Sequence, residues 1–212
     1  MKRRAFLLAS GALLLRGSAI AAPVPASAGS PFAEVTPIGE DAKRCIAFIQ
    51  FTCPHCRDLH ALLARWGRSL PKGIGFEFVP VVTPDRGLVL AARAWYAVAL
   101  AAPSRLDAFA ERAYALVQDG HMSPDAGATW EQAARDVGLG GFSQSWSQVK
   151  VDRIQRAMEK LAGYRVQSTP SLAIAGRYVV TLDDTQGDSE LFLRLASGLL
   201  SKAIASRSSS TS

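Results

Sequence analysis

Cys45-Ile46-Ala47-Phe48-Ile49-Gln50-Phe51-Thr52-Cys53-Pro54-His55-Cys56-Arg57-Asp58-Leu59-His60-Ala61-Leu62-Leu63 reads as a strand, a tight turn and a helix. Both alternating sets of the strand are largely apolar, which predicts a central strand covered on both faces. Pro54 suits the first helical position, where a missing N–H costs nothing and φ is already near the helical value. Cys53 then stands at the helix N-terminus, where free backbone N–H groups and the helix dipole favour a thiolate. Each unit of pKa lowering is worth about 1.4 kcal/mol to the thiolate. With a second thiol at Cys56, such a thiolate can form, exchange and re-form a disulfide. A purely structural bridge over so short a loop would stabilise the chain by only about 2 kcal/mol, so redox chemistry is the better use of two cysteines.

Outward from this stretch, Leu59, Leu62, Leu63 and Trp66 carry helical spacing to about Gly67. A second strand is expected over Ile74–Val82 and a short first one around Phe32–Ile38. From Asp85 to about Ala162 nearly every segment has helical period. Leu88, Ala91, Ala92, Trp95 and Val98 mark one helix. Ser104 is the expected N-cap of another, with Leu106, Phe109, Ala110, Ala113, Leu116 and Val117 on its apolar face. Thr129–Val137 marks a shorter one, and Val151, Ile154, Met158 and Leu161 a further one, preceded by Phe142 and Trp146. Strand character returns at Ser171–Ile174 and Arg177–Val180, joined as a hairpin through Ala175-Gly176. A closing helix is expected from Asp188 to about Ala205, fraying from Ser206. Strands flanking some eighty helical residues predict an α/β domain with an inserted all-helical domain.

The chain has 212 residues, 49% of them hydrophobic, enough for a substantial core. Its net charge of +6 is concentrated at the start. Residues 1–21 hold Lys2, Arg3, Arg4 and Arg16 and no acid, leaving 20 basic against 18 acidic residues. No basic run with interleaved aromatics supports nucleic-acid binding. The basic start, the apolar Ala5–Leu15 and the small-residue end Ala19-Ile20-Ala21 have the layout of a secretory signal peptide over 1–21, with a second candidate cleavage site after Ala28. Arg3-Arg4-Ala5-Phe6-Leu7 looks like a twin-arginine export motif. The expected compartment is therefore the periplasm, where a disulfide can persist.

The order C-x-x-C, helical insertion, X-Pro, hairpin and last helix resembles the thioredoxin-fold disulfide oxidoreductases, and within them the DsbA-like proteins. The residues carrying it are Phe51-Thr52-Cys53-Pro54-His55-Cys56 and Val166-Gln167-Ser168-Thr169-Pro170-Ser171-Leu172-Ala173-Ile174-Ala175-Gly176-Arg177-Tyr178. The resemblance implies a discontinuous thioredoxin-like domain over 22–84 and 163–206, a helical domain over 85–162 and a flexible tail over 207–212. It implies that Cys53 is the exposed nucleophile, Cys56 its buried partner, and that Pro54 and His55 tune the couple. Pro170 would be a cis-proline facing the disulfide, and the Thr169 backbone would pair with an extended client segment. No cofactor beyond the redox-active Cys53–Cys56 disulfide is implied. The implied partners are reduced, unfolded exported proteins and a DsbB-like, quinone-linked membrane reoxidant. Exported isomerases of this superfamily usually carry an N-terminal dimerisation domain, for which this chain has little room, so a monomeric oxidase is the expectation. The alternatives are a disulfide reductase or isomerase, or a copper-delivery protein using the same cysteines.

Three features depart from the pattern. Relatives often place an acid in the strand before the motif, thought to aid proton transfer at the buried cysteine, where this chain has Ala47. Either Glu77 or a water substitutes, or the assistance is absent. Thr169 and Ala175 stand where Val-Pro and Asn-Gly patterns are common. Of the remaining candidates, Cys45 lies about 26 Å from Cys53 along an extended strand and is expected to be a buried, inert thiol. His60 is expected to be a surface or half-buried residue rather than a ligand, His121 to lie in a loop, and Trp66, Trp95, Trp130 and Trp146 in the core or at interfaces.

Overall fold

A computed structural model describes residues 30–209. The expected signal peptide, the twin-arginine pattern, both cleavage sites and the last three residues of the expected tail lie outside the described residues. Five strands form one sheet in the order β1-β5-β4-β2-β3. They are β1 (Ala33–Glu34), β2 (Arg44–Ile49), β3 (Gly75–Pro80), β4 (Ser171–Ile174) and β5 (Tyr178–Thr181). β2 runs parallel to β3 and antiparallel to β4, and β5 pairs antiparallel with both β4 and β1. The parallel pair needs a crossover, which the helix α1 (Pro54–Arg68) supplies. Between β3 and β4 the chain forms α2 (Arg86–Ala101), α3 (Leu106–Tyr114), α4 (Gly127–Asp136), α5 (Phe142–Gln148) and α6 (Val151–Gly163). A last helix, α7 (Ser189–Ser209), closes the domain.

The doubly apolar β2 is central, and Cys45 to Ile49 are fully buried. Its side chains divide between two cores. Ile46, Phe48 and Ile49 face the helices inserted after β3, together with Trp95, Phe109 and Trp130. Cys45 and Ala47 face the other way, packed with Leu63, Trp66, Leu172, Phe192 and Leu199 from α1, β4 and α7. This is the α/β thioredoxin fold with an all-helical insertion. Close approach of α1 to β3 requires Gly67, because a Cβ there would stand 2.2 Å from the Phe76 ring. The β4–β5 turn holds both Ala175 and Gly176 at positive φ. At Gly176 glycine is required twice over, since a Cβ would also lie 2.2 Å from the Ile38 carbonyl oxygen.

Several boundaries differ from expectation. The first strand shrinks to two residues, although Val35 and Ile38 still donate to the carbonyls of Arg177 and Gly176. Ser104 does not cap α3. It lies inside a 3-10 turn, Pro103–Arg105, because Pro103 starts a tight turn one residue earlier. The cap signal in this region belongs to Asp85, whose carboxylate accepts from the Leu88 N–H at 3.0 Å. α3 does not end as an α-helix: Ala115–Asp119 widens into a π-helical turn. The closing helix runs on to Ser209 rather than fraying from Ser206. Serine hydroxyls bond back to carbonyls one turn earlier, as Ser208 does to Ile204, and the Arg207 guanidinium reaches the Ala42 carbonyl.

One buried polar knot fixes α6 against the sheet. Asp41, 1% exposed, accepts from Lys160 Nζ at 2.6 and 2.7 Å and from the Tyr164 hydroxyl at 2.8 Å. Both charges and the phenol are satisfied, which is the condition for burying them at tolerable cost. Nothing in the sequence pairing of Asp41 with residues more than a hundred positions away signals this contact.

Candidate active site

The site forms where β2 ends and α1 begins. Cys53 is the N-cap of α1, with extended dihedrals of φ −87° and ψ 118°, and Pro54 takes the first helical position. The Cys53 N–H donates to the Gln50 carbonyl at 3.0 Å, closing the turn. Cys53 is half-buried, His55 is exposed and Cys56 has no exposed surface. Facing them, the Thr169–Pro170 peptide bond is cis, in the segment leading into β4. The Thr169 carbonyl accepts from Cys53 Sγ at 3.1 Å, a contact that suits the protonated thiol, while the Thr169 side chain favours the thiolate. Sequence order places Thr169 far from Cys53; the antiparallel pairing of β2 with β4 brings them together.

The two sulfurs are driven apart in acidity. A hydrogen bond from the Cys56 thiol, together with donation from Thr169 and the backbone N–H groups of Cys56 and His55, pulls Cys53 down to about 5 against the opposing effect of burial. Cys56 is pushed up by the same hydrogen bond, by burial and by the adjacent Cys53 charge. One N–H, from Gln50, points at its sulfur at 3.5 Å. Of His55 the backbone N–H contributes to the low Cys53 value, as part of the free helix N-terminus. All three cysteines are free, so the geometry is that of the dithiol.

The inserted helices grip this turn from the other side. Gln118 Nε2 donates to the carbonyls of Phe51 at 2.9 Å and Cys53 at 3.1 Å. Next to it, Asp119 accepts a bidentate pair from the Arg57 guanidinium at 2.7 and 2.8 Å. Both side chains come from the π-helical turn, a feature that often marks functional positions. The sequence carries no signal for it, because a π turn shifts the helical phase without a distinctive residue pattern.

Other candidates land as follows. Cys45 is fully buried, and burial pushes its thiol up to about 12. Glu77 does not stand in for the missing strand acid. It pairs in register with Ile46 and is held by Arg44 at 3.4 Å, toward the end of β2 away from the cysteines. His60, expected at the surface or half-buried, is buried at 6% exposure, because its place one turn after Cys56 turns it toward Phe78, Trp95 and Tyr114. His121 takes a positive φ of 50° in the loop after the π turn. Trp66, Trp95 and Trp130 are buried and Trp146 is half-buried. Among the described residues no group of three or more His, Cys, Asp or Glu is placed to hold a metal ion, and no helix is long and apolar enough to cross a membrane.

A dithiol at a helix N-terminus, opposite a cis-proline and beside a helical insertion, is the arrangement that the sequence resemblance implies. Comparison with known proteins narrows this. No protein-family model matches the chain. Two curated relatives, the thiol:disulfide interchange proteins DsbA of Bordetella parapertussis and Bordetella bronchiseptica, are each 25% identical over 138 residues, 64% of this chain and 65% of theirs. The matched stretch thus spans less than two thirds of those relatives. Among solved structures, Pseudomonas aeruginosa DsbA superposes with a TM-score of 0.71 at 16% identity, over 85% of this chain and 95% of that one. The oxidoreductase DsbA from Xylella fastidiosa gives 0.67 at 22% identity, over 82% and 95%. The likeness to these structures is one of fold. The chain is similar in sequence to DsbA proteins and has the fold of these structures, a thioredoxin fold with an inserted helical domain.

Proposed function

We propose that the protein is a periplasmic thiol–disulfide oxidoreductase that works as an oxidase. It donates the Cys53–Cys56 disulfide to newly exported, reduced proteins and uses no other cofactor. A client thiolate attacks Cys53 Sγ, the Cys53–Cys56 bond breaks, and a mixed disulfide forms. The client's second thiolate then attacks its own sulfur in that bond, releasing the oxidised client and the Cys53 thiolate. Thr169 and Pro170 form the wall against which an extended client strand lies, and Pro54 and His55 set the helix start that stabilises the thiolate. A DsbB-like, quinone-linked membrane protein restores the disulfide, and the protein acts as a monomer.

The single observation that supports an oxidase is the place of Cys53 at the α1 N-terminus, where backbone N–H groups and the Cys56 thiol pull its value down to about 5. Stabilising the Cys53 thiolate stabilises the reduced form, which makes the disulfide a stronger oxidant. The reduction potential of the Cys53/Cys56 couple, measured against glutathione buffers, tests this. A value more oxidising than about −200 mV is expected; one near the roughly −270 mV of thioredoxins would make the protein a reductase.

A further inference from the structure

Behind the cysteine pair lie two buried polar side chains with no hydrogen-bond partner. Both imidazole nitrogens of His60 and the hydroxyl of Tyr114 are unsatisfied. An orphaned buried polar group costs about 1–3 kcal/mol, so each one calls for an explanation. His60 follows Cys56 by one helical turn on the same face of α1, where i and i+4 side chains sit about 5–6 Å apart. Its ring stacks on Phe78 with centroids 4.3 Å apart and meets Trp95 and Tyr114 edge-on. Its Nε2 approaches Asp107 Oδ1 at 3.4 Å, a charge contact rather than a formed hydrogen bond. The Asp107 side chain is 57% exposed and opens to the groove between α1 and α3. His60 therefore stands one helical turn from a buried sulfur and 3.4 Å from a solvent-facing carboxylate.

We infer that His60 carries the proton between Cys56 Sγ and the groove at Asp107, in place of the strand acid that Ala47 does not provide. When the client thiolate attacks Cys53, the electron pair of the broken S–S bond leaves on Cys56 as a buried thiolate. His60 takes a proton from water at Asp107 and delivers one to that sulfur, directly or through one bridging water. On reoxidation the flow reverses: imidazole accepts the Cys56 proton as its sulfur attacks the mixed disulfide formed by Cys53 and the reoxidant. The Cys53 thiolate leaves without needing a proton, so the demand falls on Cys56 alone. The surroundings suit a base that is neutral at rest. Burial lowers the His60 value, while the Asp107 and Glu111 carboxylates on α3 act against that. Phe78 from β3 and Trp95 from α2 add no charge, and Arg68 shares Asp107 at 3.4 Å. Tyr114, held well above its ordinary value by burial and by both cysteines, stays a phenol and so cannot act as the base.

This inference rests on the thiol-exchange reading of the site. The test is the single-turnover oxidation of a two-cysteine peptide by the oxidised protein, followed between about pH 5 and pH 9. Wild type, His60→Ala, His60→Gln and Tyr114→Phe are compared, with Cys53 ionisation read from thiolate absorbance. Positioned acid–base groups typically contribute 10²- to 10⁴-fold, so both His60 variants are expected to slow by at least about 10-fold. They should lose the solvent deuterium isotope effect and the pH inflection of the wild type while the Cys53 titration stays in place. Added imidazole should restore the His60→Ala rate, which a structural role would not explain. Rates within twofold of wild type, an unmoved pH profile, or loss in Tyr114→Phe alone would each overturn the assignment. If wild type itself fails to oxidise the peptide, the oxidoreductase reading falls first.

Discussion

Cys45 and Cys56 are equally buried, each with no exposed surface, and burial raises both thiols. They belong to different buried clusters, and everything around them differs. Cys45 is enclosed by Ala47, Leu172, Ile174 and Phe192, an apolar set closed by α7. Cys56 has an ionised neighbour at Cys53, an N–H from Gln50 and, one turn along α1, the unpartnered His60. Burial makes a thiol quiet. A helix terminus beside it, and polar groups behind it, give it a reaction.

The sharpest break in that contrast comes from the active pair. Cys53→Ser is expected to abolish oxidation of a dithiol peptide, and Cys56→Ala to accumulate mixed disulfides visible by mass on non-reducing gels. Retained turnover in Cys53→Ser would put the chemistry elsewhere. A second measurement follows from the low Cys53 value. Because its folded value lies below the free-thiol value of about 9, its stabilisation of the reduced protein is full above that pH and disappears as pH falls to about 5. Denaturant titrations should therefore show the reduced form gaining on the oxidised form as pH rises from 5 to 9. Over the same window the potential should change by about 30 mV per pH unit, one proton for two electrons, steepening toward about 60 mV below pH 5.

The grip of the inserted helices is a smaller lever. Gln118→Ala strips two carbonyls of their donor, at a cost of about 1 kcal/mol, and should slow exchange a few-fold with Cys53 still ionised. Smallest of all is Cys45→Ala. It should leave turnover unchanged and lower unfolding stability by about 1 kcal/mol, the loss of one small buried group. In wild type, Cys45 should resist thiol reagents until the protein unfolds. Labelling of Cys45 in the native state would erase the contrast between the two thiols.

What the sequence reveals about this site depends on how local each interaction is. The strand, the turn and Pro54 at the helix start are neighbours in the chain, so their pattern shows directly. Cys45 was readable as inert because an eight-residue strand cannot fold it back onto Cys53. His60 had a usable signal, its i+4 spacing from Cys56, but a single histidine on a helix also fits the solvent face. Only the placement of Phe78, Trp95 and Tyr114 decides between them. Tyr114 and Gln118 belong to a helix whose apolar period was evident, yet its widening at Ala115 was not. Asp41 bonds residues of α6 that no nearby pattern connects to it.

The π-helical turn at Ala115–Asp119 also makes the length of that helix a property of the redox centre. Successive α-helical residues rotate by about 100°. Taking one residue out of the turn would swing Gln118 and Asp119 off the Phe51, Cys53 and Arg57 groups they hold. The C-x-x-C loop would keep its own sequence and lose its clamp. Insertions and deletions in this stretch therefore act on the cysteines as point mutations in the loop do, from a part of the chain where a change in length would otherwise pass as neutral.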